Sequence, residues 1–83
     1  MKIGFLFYDN YLERLDIKFE DGTYYDGLHC GETLEYLKDN SWTNHEWLPT
    51  RVEYDHSEGE WYLVGLYAPG KIPTQNTVRK RVS

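Results

Sequence analysis

The chain is poor in the residues that build covalent or metal-held scaffolds. It has one cysteine, one methionine and three prolines in 83 residues. A single Cys30 excludes a disulfide within the chain. No apolar run approaches the ~20 residues that span a bilayer, so no membrane partner is expected. Cys-x-x-Cys and His-x-x-x-His spacings are both missing. Zinc sites rely on such paired ligands, so Cys30, His29, His45 and His56 are not read as a metal set. Neither standard Gly-rich phosphate loop occurs, and there is no internal repeat or low-complexity tract. Acidic residues are missing after Glu60. Residues 1–60 carry all 14 acids with five bases, and residues 61–83 carry four bases alone.

What is present is aromatic and acidic. Eight Tyr, three Trp and three Phe make 17% of the chain, and the formal net charge is −5. Each buried ring removes roughly 150–250 Å² from water, so a few rings fill a small core and others are left for a surface. A chain of this length forms one domain, residues 1–83, with net stability of about 4–12 kcal/mol. The Met1–Tyr8 stretch meets Asp9 too soon for a signal peptide. Together with the lone thiol this gives an expected cytoplasmic location.

Alternation with period two dominates the chain. Ile3, Phe5 and Phe7 alternate with Lys2, Gly4 and Leu6, and Leu15, Ile17 and Phe19 alternate with charged residues. Each set is expected to form the inner face of a strand. Asp9-Asn10 and Asp21-Gly22 are turn signals, so residues 2–25 read as a three-stranded meander. Glu32–Lys38 fits a strand better than a short helix. Leu48, Thr50, Val52 and Tyr54 mark another strand, with Pro49 near its start or at an edge. The continuous run Trp61–Tyr67 reads as a central strand. Thr77–Val82 reads as a charged edge strand or basic tail within about residues 71–83. The expected fold is all-β: a small SH3-like barrel, or a strongly bent antiparallel sheet of about five to seven strands. A short helix or turn at 32–38 is the variant.

Three segments carry a family resemblance. They are Tyr24-Tyr25-Asp26-Gly27-Leu28-His29-Cys30-Gly31-Glu32, Trp47-Leu48-Pro49-Thr50-Arg51-Val52-Glu53 and Trp61-Tyr62-Leu63-Val64-Gly65-Leu66. Together they resemble a family of short proteins of unknown function from low-GC Gram-positive bacteria and their mobile elements. The resemblance spans about residues 12–67. The Asn40–Glu46 segment is longer than the family's pattern, and the tail after Tyr67 is longer and more basic. The resemblance implies no catalytic residue, since the family has no established activity.

Adjacent residues of a strand face opposite sides, which separates His29 from Cys30 as a catalytic pair. Paired acids such as Glu58 with Glu60 sit at turns and on polar faces. No catalytic residue and no cofactor are therefore expected. The aromatics lead further, because Trp, Tyr and Arg are enriched at binding hot spots. If Leu48, Val52 and Tyr54 face inward, Trp47 and Arg51 face outward. Trp61 joins them if Tyr62, Val64 and Leu66 face inward. The expected interaction face is Trp47, Arg51, Trp61 and Tyr25, and the expected basic contact is Arg79, Lys80 and Arg81. These describe a non-catalytic module, monomeric or homodimeric, that binds a protein as an accessory of a mobile element or phage. The alternative is a nucleic-acid-binding β-barrel that stacks bases on the outer rings beside the basic tail.

Overall fold

In the computed structural model, which describes residues 1–38 and 46–82, the alternating segments become six strands and no helix. They are β1 (Lys2–Asp9), β2 (Arg14–Phe19), β3 (Thr33–Leu37), β4 (Trp47–Asp55), β5 (Glu60–Leu63) and β6 (Val78–Lys80). All pairings are antiparallel, in a single sheet of order β2-β1-β6-β3-β4-β5. The bent sheet is realised and the closed barrel is not, because β2 and β5 remain unpaired with each other. Residues 32–38 form a strand rather than a helix. The predicted Asn40–Glu46 loop, with Trp42, falls almost wholly outside the described residues.

Two strand positions are the reverse of those expected. The segment with charged side chains, β6, lies in the middle of the sheet, between β1 and β3. The apolar run from Trp61 yields β5, a four-residue strand at an edge. Composition misleads here because each charge on β6 has a partner. Arg79 meets Glu35 on the neighbouring strand, and the Lys80 ammonium donates to the Thr33 carbonyl at 2.7 Å. The residues after Leu63 leave the ladder at once. They turn back so that Tyr67 and Leu63 exchange backbone hydrogen bonds.

Both edges are covered by returning chain. Along β2, Phe19 donates to Thr23, while Tyr25 and Leu28 donate to Ile17 and Leu15. The third strand of the expected meander is thereby reduced to a single bridge at Lys18–Tyr24. Along β5, Leu63 and Trp61 are engaged by Tyr67 and Gly70. Unpaired edges invite pairing with other chains, and covering them prevents it. Pro49 is tolerated within β4 because β5 pairs only with Val52–Asp55, so no strand requires its missing donor.

The core lies on the inner face. Leu6, Leu15, Ile17, Phe19, Leu34, Tyr36, Val52, Leu63 and Val78 are buried there with Leu28, and Trp61, Tyr67 and Ile72 pack against them. Strand β2 follows the expected parity and β1 does not. The register sets Gly4 opposite Phe19 and Leu6 opposite Ile17, which turns Phe5 outward at 45% exposure. The cause is Gly4. A Cβ there would stand 2.3 Å from the Lys18 carbonyl oxygen, so only glycine fits where the two backbones approach so closely. With Gly4 inside, period two carries Ile3, Phe5 and Phe7 to the outer face.

Candidate functional site

The four residues expected to share one interaction face do not meet. Trp47 and Arg51 do lie on the outer face of β4, since Thr50 and Val52 on the same strand are buried within. Trp61 pairs with Tyr54 and shares the parity of Leu63, which places it on the inner face, against the core. Tyr62 is the residue turned outward, opposite Glu53. Tyr25 also packs against the core. Its hydroxyl donates to the Glu32 carboxylate, and the Lys80 ammonium lies 5.1 Å from its ring centre.

The basic segment is largely occupied by the domain itself. Arg79 donates to both Glu35 oxygens, at 3.0 and 3.3 Å, and its guanidinium lies 4.4 Å from the centre of the Trp47 ring. Lys80 is buried and sits 3.7 Å from Glu32. Of the three bases, Arg81 is the one turned to solvent.

Glu32 anchors this interior network. Burial pushes its carboxyl up, but the Tyr25 hydroxyl, the His29 backbone N–H and Lys80 outweigh that and hold it below its ordinary value. The complementary effect appears on Tyr25, whose phenol is pushed up to about 12, first by its hydrogen bond to Glu32 and then by burial. The network also fixes the loop that carries His29 and Cys30. The His29 backbone N–H donates to Glu32 at 2.6 Å, and its Nδ1 lies 3.4 Å from the same carboxylate oxygen.

That loop forms one wall of a cleft of about 870 Å³ at the open seam of the sheet. The bent sheet brings the β1–β2 turn towards the β4–β5 turn. Tyr8, Glu13 and Arg14 come from the first, Tyr54, His56, Glu60 and Trp61 from the second, and His29 with the exposed Cys30 from the loop. Each part has a local cause. An Asp9 carboxylate oxygen accepts from the Tyr11 and Leu12 amides, at 2.8 and 3.0 Å, which shapes the first turn. Asp55 does the same for Ser57 and Glu58 in the second. These are the Asx-type bonds that favour Asp in turns. Gly27 takes a φ of 98° and donates its N–H to the buried Asp16 at 2.8 Å, setting the entry to the loop.

The cleft is aromatic with acidic groups at its wall. Tyr54 meets Trp61 at 5.0 Å between ring centres and His56 at 5.1 Å, both edge to face. Tyr8, 48% exposed, lines the same cleft. A smaller pocket of about 240 Å³ adjoins, sharing Tyr8, Glu60 and Trp61 and adding Leu6, Ile72 and Pro73. Among the described residues no cluster of three or more His, Cys, Asp or Glu could hold a metal ion. His45 of the zinc set considered above lies outside those residues. No helix among them is long and apolar enough to cross a membrane.

From the sequence, His29, Cys30 and His56 group as a metal set that is set aside, and Trp61 groups with Trp47 and Arg51, so the cleft itself is not assembled. Tyr8 and Tyr54 carried no local signal beyond strand alternation. Their meeting depends on the curl of the sheet, which alternation does not encode. A second exposed feature is the outer stripe of Ile3, Phe5, Phe7 and Tyr24. Phe7 lies 6.0 Å from both Phe5 and Tyr24, between ring centres.

A family model described as "Domain of unknown function (DUF5348)" matches residues 4–82. The match runs through β6, so the tail is part of the family's domain rather than an addition peculiar to this chain. A crystal structure of a protein from Ruminococcus gnavus is similar at 35% identity with a TM-score of 0.73, covering 95% of this chain and 100% of that one. No curated protein matches the chain.

Proposed function

Taking as premise that the chain belongs to the domain-of-unknown-function family DUF5348, we propose that it is a non-catalytic protein-interaction module that binds through the aromatic cleft. The observation that carries this reading is the placement of Tyr8, Tyr54, His56 and Trp61 around one open cleft. Tyrosine and tryptophan are the side chains most often found at the centres of binding surfaces. The covered edges support the reading, because a partner has little backbone to pair with along β2 or β5. His29 is engaged by Glu32, which favours a positioning role in the loop over a role as base to Cys30.

The test is capture from the native host at near-physiological salt with two baits, the natural chain and a Tyr8→Ala/His56→Ala variant. Both substituted side chains are exposed, so the variant keeps the fold. We expect the natural chain to retain a specific protein and the variant to lose it. Equal retention by both baits, or no retained protein, refutes the reading.

A further inference from the structure

We propose that the cleft receives the guanidinium group of an arginine side chain carried on a basic segment of the partner protein. The inference rests on the cleft being the binding surface and adds the chemistry of what enters it.

Three features converge. The first is the arrangement of rings. Edge-to-face contacts at Tyr54 set Trp61 and His56 at interplanar angles of 64° and 75° to it, and Tyr8 adds a further ring. Faces of Trp and Tyr carry negative charge density and attract cations. The second is the pair of carboxylates in the wall, Glu13 and Glu60. Among the described residues, neither forms an ion pair. The Glu60 carboxyl lies along Gly70, 3.4 Å from where a Cβ would stand, an ordinary packing distance. The third is the surrounding charge. Asp55, opposite Glu60 on the paired strand, is held below its ordinary carboxylate value, chiefly by the Ser57 hydroxyl. It therefore stays ionised at the β4–β5 end of the sheet, next to Glu60, without lining the cleft itself.

Arg14 and His29, the basic side chains of the loop side of the wall, are already engaged. Arg14 donates to the Leu28 carbonyl at 3.3 Å, and its stem lies against Gly27. His29 is bound to Glu32. Arginine fits better than lysine because a guanidinium is planar, weakly hydrated and able to stack on a ring while donating sideways to a carboxylate. An ammonium holds its water more strongly and offers no flat face.

The experiment is a titration of the full chain followed by amide and indole NMR shifts. The probes are three acetylated, amidated peptides of alternating Gly and Arg, Gly and Lys, or Gly and citrulline, the last being the uncharged analogue of arginine. We expect the arginine peptide to shift Tyr8, Glu13, Tyr54, Glu60 and the Trp61 indole. The citrulline peptide should bind about tenfold more weakly, with lysine between them. A Glu13→Gln/Glu60→Gln variant should unfold at an unchanged temperature and bind the arginine peptide about five- to tenfold more weakly. Equal affinity for arginine and citrulline at the cleft overturns the inference and leaves the cleft as a binding surface. Arginine-induced shifts confined to the acidic surface around Glu20 and Asp21 also overturn it. If no peptide disturbs the cleft, the inference falls. The binding reading then falls with it when the Tyr8→Ala/His56→Ala bait also retains its partner.

Discussion

A single amide side chain completes the sheet where a strand runs out. Strand β6 pairs with β1 only over Lys2–Gly4, so Leu6 has no strand on that side. Asn76 substitutes for one. Its Oδ1 accepts from the Leu6 N–H at 2.7 Å, and its Nδ2 donates to the Leu6 and Pro73 carbonyls at 3.0 and 2.9 Å. Replacing it with Ala or Asp should cost about 1–3 kcal/mol in urea unfolding, since polar groups beside the buried Leu6 lose their partners. An unchanged midpoint would refute the role. Gly4→Ala should cost at least as much, about 1–3 kcal/mol or more, through collision with backbone that has nowhere to move. The Tyr25–Glu32 pair predicts a pH dependence at both ends. The folded value of Glu32 is depressed, so its stabilisation is present above its ordinary value of 4.5 and lost as pH falls through the folded one. The folded value of Tyr25 is raised, so its contribution is present below pH 10 and lost as pH rises through about 12. Tyr25→Phe should flatten both limbs. Tyrosinate absorbance and thermal unfolding between pH 3 and 5 report the two ends.

At the level of strands, β6 is short, charged and central. Its neighbours protect it on both sides, so its amides should exchange with solvent more slowly than those of the more apolar β5. Exchange of β6 at the rate of β5 would contradict that topology. Much of the strand pattern was legible in the sequence. The alternation of Leu15, Ile17 and Phe19 and of Leu48 to Tyr54 named two inner faces, and Asp21-Gly22 marked a turn that is there. Strand order was not legible. Apolarity suggested a centre for Trp61–Tyr67 and charge suggested an edge for Thr77–Val82, and both inferences failed for one reason. A charged strand is buried cheaply when Glu35 and the Thr33 carbonyl meet its charges, and those partners are distant in sequence. The parity of β1 failed for a related reason. The close approach at Gly4 is a property of two strands together and leaves no mark on either alone. The candidate site was the least legible, because Tyr8 and Trp61 meet only through the bend of the whole sheet.

For the whole molecule, the ordering of strands has a consequence for how the domain is made. The sheet consists of the hairpin β1–β2 and the unit β3–β4–β5, and β6 is the strand that hydrogen-bonds to both. A chain cut after Asn76 should keep neither the sheet's circular-dichroism signature nor a cooperative melt. A cooperative melt in that truncated chain would show that the two units dock without β6. The same strand leaves the ribosome after every other strand. Until it is made, the backbone pairing that joins the two units through the centre of the sheet cannot form. Folding is thus a clasp that shuts only once β6 is made, and a stop codon or cleavage shortly before Val78 would release an unzipped hairpin and three-stranded unit rather than a slightly shorter domain.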